Sequence, residues 1–153
     1  MYAETFRYSS PLGELSYCWD GEVCSEVSLL VVPDDKLTGN DPVGEWLNAY
    51  FAGKALPLPP LAAARTPFQT RMRQCLLSIP MGETLSYGEV AKQLGTAPRA
   101  MGQALGANPL PLLIPCHRII AAHGLGGFAC GLEWKRRLLA FEQLGRSASS
   151  NAI

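Results

Sequence analysis

The chain has no stretch suited to crossing a membrane. Its longest uncharged run, Ala100 to Cys116, is broken by prolines and glycines and carries Gln and Asn, which rules out a lipid-spanning helix. The opening residues MYAETFRYSSPLGEL lack the basic start and apolar run of a secretory signal. No C-x-x-C pair occurs, and the cysteines number five. An odd count without close pairs fits neither a disulfide framework nor a zinc cage. A cytoplasmic location, where thiols stay reduced, is therefore expected. The glycine-rich run Gly124-Leu125-Gly126-Gly127 lacks the lysine and Ser/Thr of a phosphate loop. Disorder and a collagen repeat are also excluded, because 48% of the residues are hydrophobic and no such repeat occurs.

What is present suits one domain, or two small lobes, in 153 residues. The net charge of zero hides a split. Residues 1–60 hold nine acids against three bases, and residues 61–153 hold ten bases against four acids. The basic part could attract a polyanion; a scatter of solvated charges gives the same count.

The pattern predicts a small antiparallel sheet first. Residues 2–9 alternate loosely before a Ser-Ser-Pro turn, and residues 14–19 and 22–32 flank the hairpin signal Asp20-Gly21. Asp41-Pro42 opens a helix through about Ala52. A proline-rich link, Leu56 to Pro60, marks a border between lobes. Beyond it, Thr66-Pro67-Phe68-Gln69 reads as a capping box, with Phe68, Met72, Cys75, Leu76 and Ile79 on one helical face and Cys75 as a core residue. Ser86-Tyr87-Gly88-Glu89 is a second capping box, starting a short helix that Gly95 closes. Pro98 starts another helix, running to about Gly106. Two short helices joined by Gly95-Thr96-Ala97 suggest a helix-turn-helix, a geometry shared by proteins that bind DNA and proteins that do not. Ala100, Gly102, Ala104 and Gly106 leave the second helix slim on one side, and Arg99 projects near its start. A slim helix suits a shallow surface or tight helix–helix packing. The prolines after Asn108 predict an extended approach to Cys116. His117 to Ile120 reads as a short buried strand or turn, and Leu132 to Leu144 as a last helix.

Ile114-Pro115-Cys116-His117-Arg118-Ile119-Ile120 is the most chemically loaded segment. A thiol is a weak nucleophile until it loses its proton, which an imidazole, a guanidinium or a helix N-terminus can assist. An imidazole acting as base needs an orienting group, and Glu142 on the last helix is a candidate. The alternative is an inert core thiol.

Asn108-Pro109 followed by this segment resembles the active-site region of the O6-alkylguanine-DNA alkyltransferases, the methylated-DNA–protein-cysteine methyltransferases. Thr66 to Gln69, Ser86-Tyr87-Gly88-Glu89-Val90-Ala91, Arg99-Ala100-Met101-Gly102, and Gly131-Leu132 leading to Lys135, Leu138, Leu139 and Glu142 agree with it. The resemblance spans roughly residues 66–142. It implies an α/β (α+β) fold: a ribonuclease-H-like lobe of small antiparallel sheet and helix over 1–60, a mainly helical DNA-binding and acceptor lobe over 61–145, and a tail over 146–153.

It also implies a function: repair of O6-alkylguanine, and of O4-alkylthymine, in double-stranded DNA. The base flips out, and the alkyl group passes irreversibly to Cys116. His117 would act as base through a water, with Glu142 orienting it. Tyr87 would donate to guanine N3, and Asn108 would brace the turn before Cys116. Arg99 would replace the flipped base while Ala100, Gly102 and Ala104 let the helix enter the minor groove. The backbone at Cys116, Ile119 and Ala129 would read the guanine, and Leu105 would pack on its ring. Arg118 would stabilise the fold. A monomer without cofactor or metal is implied. Phe128 stands where tyrosine is common, Cys130 where a small residue lines the pocket, and Ala107 where arginine is frequent. Rival readings are a non-repairing lesion-binding relative, a cysteine hydrolase and a redox-sensing thiol protein.

Overall fold

A computed structural model describes residues 4–29, 39–128 and 131–151, with only the backbone of 146–151. The chain divides into two units, residues 1–63 and 64–153.

The first unit holds a three-stranded antiparallel meander, β1 (Glu4–Ser10), β2 (Gly13–Trp19) and β3 (Cys24–Ser28), and one helix, α1 (Pro42–Phe51). Tyr8 of β1 pairs with Leu15 of β2, and Tyr17 with Val27 of β3. All four are buried, as the period of two requires for one inward face. Asp41 caps α1 through Gly44 N (2.8 Å), and its second carboxylate oxygen accepts from the Tyr17 hydroxyl (2.6 Å). The Asp-Pro start is thus both a local stop signal and a tie to the sheet. The strand expected over 22–32 is shorter, because the turn at Asp20 runs to Val23; residues 30–32 lie outside the described residues.

The second unit holds α2 (Pro67–Leu77), β4 (Leu85–Ser86), α3 (Tyr87–Leu94), α4 (Pro98–Gly106), a single 3-10 turn (Cys116–Arg118), β5 (Ile119–Ile120) and α5 (Leu132–Asn151). Thr66 caps α2 by accepting from Gln69 N (3.1 Å). The Gln69 side chain reaches back to Arg65 N rather than to Thr66 N, so the expected box is shifted by one residue. Met72 and Leu76 are buried. Cys75 is half-buried, with Sγ 3.2 Å from Gln93 Oε1, and is not the core residue expected. The box at Ser86 is complete in both directions. Gly95 ends α3 with φ +67, a left-handed cap that turns the chain into α4.

β4 and β5 pair in parallel, Leu85 with Ile119 and Ser86 with Ile120. This pairing was not expected from the sequence. It brings the start of α3 beside the turn that carries Cys116. The prolines after Asn108 do not give a straight approach. Ile114 N bonds Leu110 O at 2.9 Å, and buried Leu112 takes φ +77, the one non-glycine positive φ among the described residues. A left-handed leucine costs roughly 1–2 kcal/mol, so the packed surroundings enforce this bend. α5 continues past Leu144 to Asn151; the charge-poor end carried no periodic apolar signal. Among the described residues no helix is long and apolar enough to cross a membrane.

Candidate active site

Cys116 is buried at the start of the 3-10 turn, and its N–H bonds Ile114 O at 2.7 Å. Asn108 fixes the bend before it: Nδ2 donates to Ile114 O (3.1 Å) and Oδ1 accepts from Leu110 N (3.0 Å). Asn108 thus makes a pair of hydrogen bonds across the bend.

His117 is fully buried, with Nε2 2.8 Å from Glu142 Oε2. Arg118 grips the same carboxylate through Nε (2.8 Å to Oε1) and Nη2 (2.9 Å to Oε2), and Nη1 donates to Ile79 O at 2.8 Å. Burial would raise the Glu142 pKa, but hydrogen bonds from His117 and Arg118, with the Arg118 charge, hold it well below the usual carboxylate range. Glu142 is thus an anion, so His117 Nε2 must carry the proton it donates. Burial pushes the His117 pKa down, opposed by Glu142 and aided by the Arg118 and Lys135 charges. The imidazole is neutral at pH 7, and Nδ1 keeps its lone pair. That nitrogen is buried and meets no hydrogen-bond partner among the described residues. This is the electronic state a general base needs.

A cavity of about 340 Å³ reaches Cys116, lined also by Tyr87, Gly102, Leu105, Gly106, Gly127 and Phe128. Tyr87 begins α3, and its hydroxyl donates to Gly127 O at 3.2 Å. Leu105 faces the cavity from α4 and is mostly buried. Ile119 is buried with its carbonyl accepting from Lys135 Nζ at 2.7 Å, while the Cys116 carbonyl accepts from Ile119 N. Ala129 and Cys130 lie outside the described residues. No group of three or more His, Cys, Asp or Glu suited to a metal occurs among the described residues.

On α4, Arg99, Gly102, Gln103 and Gly106 are exposed, whereas Ala100 and Ala104 are half-buried and Met101 and Leu105 buried. The slim, outward stripe therefore follows the helical spacing i, i+3, i+4, i+7. The expected set took alternate residues, which is a strand's period; Ala100 and Ala104 lie off the stripe. Gln103 belongs to the stripe and was missed, although the same spacing applied to the sequence would have found it. Lys135 was also missed as a site residue. It is fully buried, with Nζ bonded to Ile119 O and Gly127 O.

The arrangement supplies a shielded sulfur and a tyrosine hydroxyl on one small cavity, and an oriented neutral imidazole on the residue next to the cysteine. It is suited to nucleophilic attack on an uncharged carbon.

Residues 67–144 match the family model of the 6-O-methylguanine DNA methyltransferase DNA-binding domain. The methylated-DNA–protein-cysteine methyltransferase of Saccharolobus solfataricus is 35% identical over 139 residues, covering 88% of this chain and 92% of that protein. The crystal structure of the Mycobacterium tuberculosis O6-methylguanine methyltransferase is similar at a TM-score of 0.77 and 36% identity, over 92% of this chain and 94% of that one. The M. tuberculosis OGT in complex with DNA is similar at the same TM-score and identity, over 92% and 93%. With this overlap across nearly the whole length, and a family model that spans Cys116, His117 and Glu142, the chain belongs to the O6-methylguanine DNA methyltransferase family.

Proposed function

We propose that the protein repairs O6-alkylguanine in double-stranded DNA by moving the alkyl group to Cys116. The observation that carries this reading is the buried Cys116 beside a His117 whose Nε2 proton is committed to Glu142. The thiol proton passes through a water to His117 Nδ1. The sulfur then forms a bond to the alkyl carbon as the carbon–O6 bond breaks. The electron pair goes into the purine, which takes a proton at N3 from the Tyr87 hydroxyl; the proton held by His117 restores the phenol. The sum is thiol plus alkylguanine giving thioether plus guanine. No residue of the site can reverse a thioether, so each molecule acts once.

Arg99 and the Gly102–Gln103–Gly106 stripe are assigned to the minor groove, Arg99 replacing the flipped base. A side-chain Cβ at Gly102 or Gly106 would meet nothing within 4 Å in the protein, so the space outside them is free for a groove wall. Residues 61–145 are the DNA-binding and acceptor part in this reading, and 1–60 a ribonuclease-H-like lobe. A reactive thiol is kept reduced in the cytoplasm, which supports a cytoplasmic location in this reading.

The test is intact mass after incubation with a duplex carrying O6-methylguanine. A gain of one methyl group, lost in Cys116→Ala, is expected. Binding without a mass change would instead indicate a lesion-binding protein that does not repair.

A further inference from the structure

We propose, on the basis of the alkyl-transfer reading above, that Lys135 is a positioning residue: its ammonium ties the Gly124–Gly127 loop to β5 and thereby holds the Tyr87 hydroxyl on the cavity wall. An ammonium with no exposure is an expensive way to fill space, and methionine would pack a similar volume. The partners show what the charge is used for. Nζ donates to Ile119 O at 2.7 Å and to Gly127 O at 3.0 Å, joining the strand that follows the Cys116 turn to a loop with little regular structure of its own. The Gly127 carbonyl also accepts from Tyr87. The Lys135 ammonium lies 5.9 Å from the centre of the Tyr87 ring. Gly126, at φ +73, packs so closely that a Cβ there would come 2.7 Å from Tyr87 Cε2 and 3.0 Å from its hydroxyl oxygen.

Loop, tyrosine and lysine are therefore tied together, and Tyr87 and Gly127 line the cavity with Cys116. When the hydroxyl turns from Gly127 to the guanine, Lys135 stays on that carbonyl, so Tyr87 leaves without abandoning an unpaired acceptor. Burial lowers the lysine pKa while the nearby Cys116 raises it, so a thiolate there favours the charged ammonium that the two carbonyls require.

The experiment is a double-mutant cycle of Lys135→Met and Tyr87→Phe, read as the single-turnover rate of Cys116 alkylation by free O6-benzylguanine at saturation. Free base removes DNA binding from the measurement. Lys135→Met should slow the reaction on the order of a hundredfold, as a loss of positioning does. In the Tyr87→Phe background the same change should cost little, because its route runs through Tyr87. Losses that multiply fully, or a Lys135→Met rate equal to wild type, would overturn the inference. Gly126→Ala serves where Lys135→Met does not fold: it displaces the loop from Tyr87 and should slow transfer in the same non-additive way, and an unchanged rate would overturn the inference equally. Wild-type protein that never gains the benzyl group would instead defeat the transfer reading itself.

Discussion

Replacing Glu142 by glutamine tests the buried charge arrangement directly. The carboxylate accepts three hydrogen bonds, from His117 Nε2 and from Arg118 Nε and Nη2, at 2.8–2.9 Å. Its side chain has no exposure, and the Arg118 side chain only 12%. An amide removes the negative charge and places an NH2 where an acceptor stood, so the guanidinium keeps its burial and loses its counter-charge. Breaking a buried pair from one side costs about 3–5 kcal/mol. At 2–4 °C per kcal/mol for a chain of this size, the melting temperature should fall by roughly 6–20 °C. The kinetic effect is separate. With its NH2 in the Oε2 position the amide would donate to Nε2, moving the imidazole proton to Nδ1 and removing the lone pair that the proposed mechanism uses to take the thiol proton. General-base loss is worth about 10²–10⁴-fold in rate. The assay is single-turnover methyl transfer followed by intact mass, run below the variant's melting transition, with the folded fraction taken from circular dichroism. If folded Glu142→Gln transfers within about threefold of wild type, the carboxylate does not set the tautomer, and the base assignment fails.

Arg99→Ala should slow repair in duplex DNA far more than reaction with free O6-benzylguanine, and equal losses would contradict the flipping role. Gly106→Leu should leave thermal stability unchanged or slightly raised, since a helical glycine costs roughly 0.5–1 kcal/mol, while weakening duplex binding; filter or anisotropy titration would show it, and unaltered affinity would remove α4 from the groove. Acid should reduce both transfer rate and stability. The His117 pKa is lowered on folding, so its contribution is complete above the unfolded value near 6.5 and is lost as pH falls through the folded one; Glu142, also lowered, adds a second loss below the normal carboxylate range. Stability and single-turnover rate measured from pH 8 down to pH 4 check this, and stability that rises on acidification would be incompatible with it.

The parts legible in the sequence were those fixed over a few residues. The Asp41, Thr66 and Ser86 caps act within one helical turn, so their residue types sufficed. Cys116 and His117 are chain neighbours, and Glu142 sits on a periodic helix. The β4–β5 pair was invisible because two residues per strand carry no period, and its partners lie 34 positions apart. Lys135 looked like an ordinary helical cation. Its burial depends on carbonyls 16 and 8 residues away, and no spacing rule encodes them. The exposed stripe of α4 differs from the alternate small residues for another cause. Small residues occur on more than one side of α4, and only the angular position at i, i+3, i+4 and i+7 separates the exposed ones from the half-buried Ala100 and Ala104.

Lys135 and Glu142 sit seven residues apart on α5, two turns and about 10 Å along its axis. One helix therefore holds both the His117 imidazole, through Glu142, and the carbonyl of Gly127 on which the Tyr87 hydroxyl rests, through Lys135. A slip or tilt of that helix would disable both ends together, so partial assembly has no intermediate level of reactivity to offer.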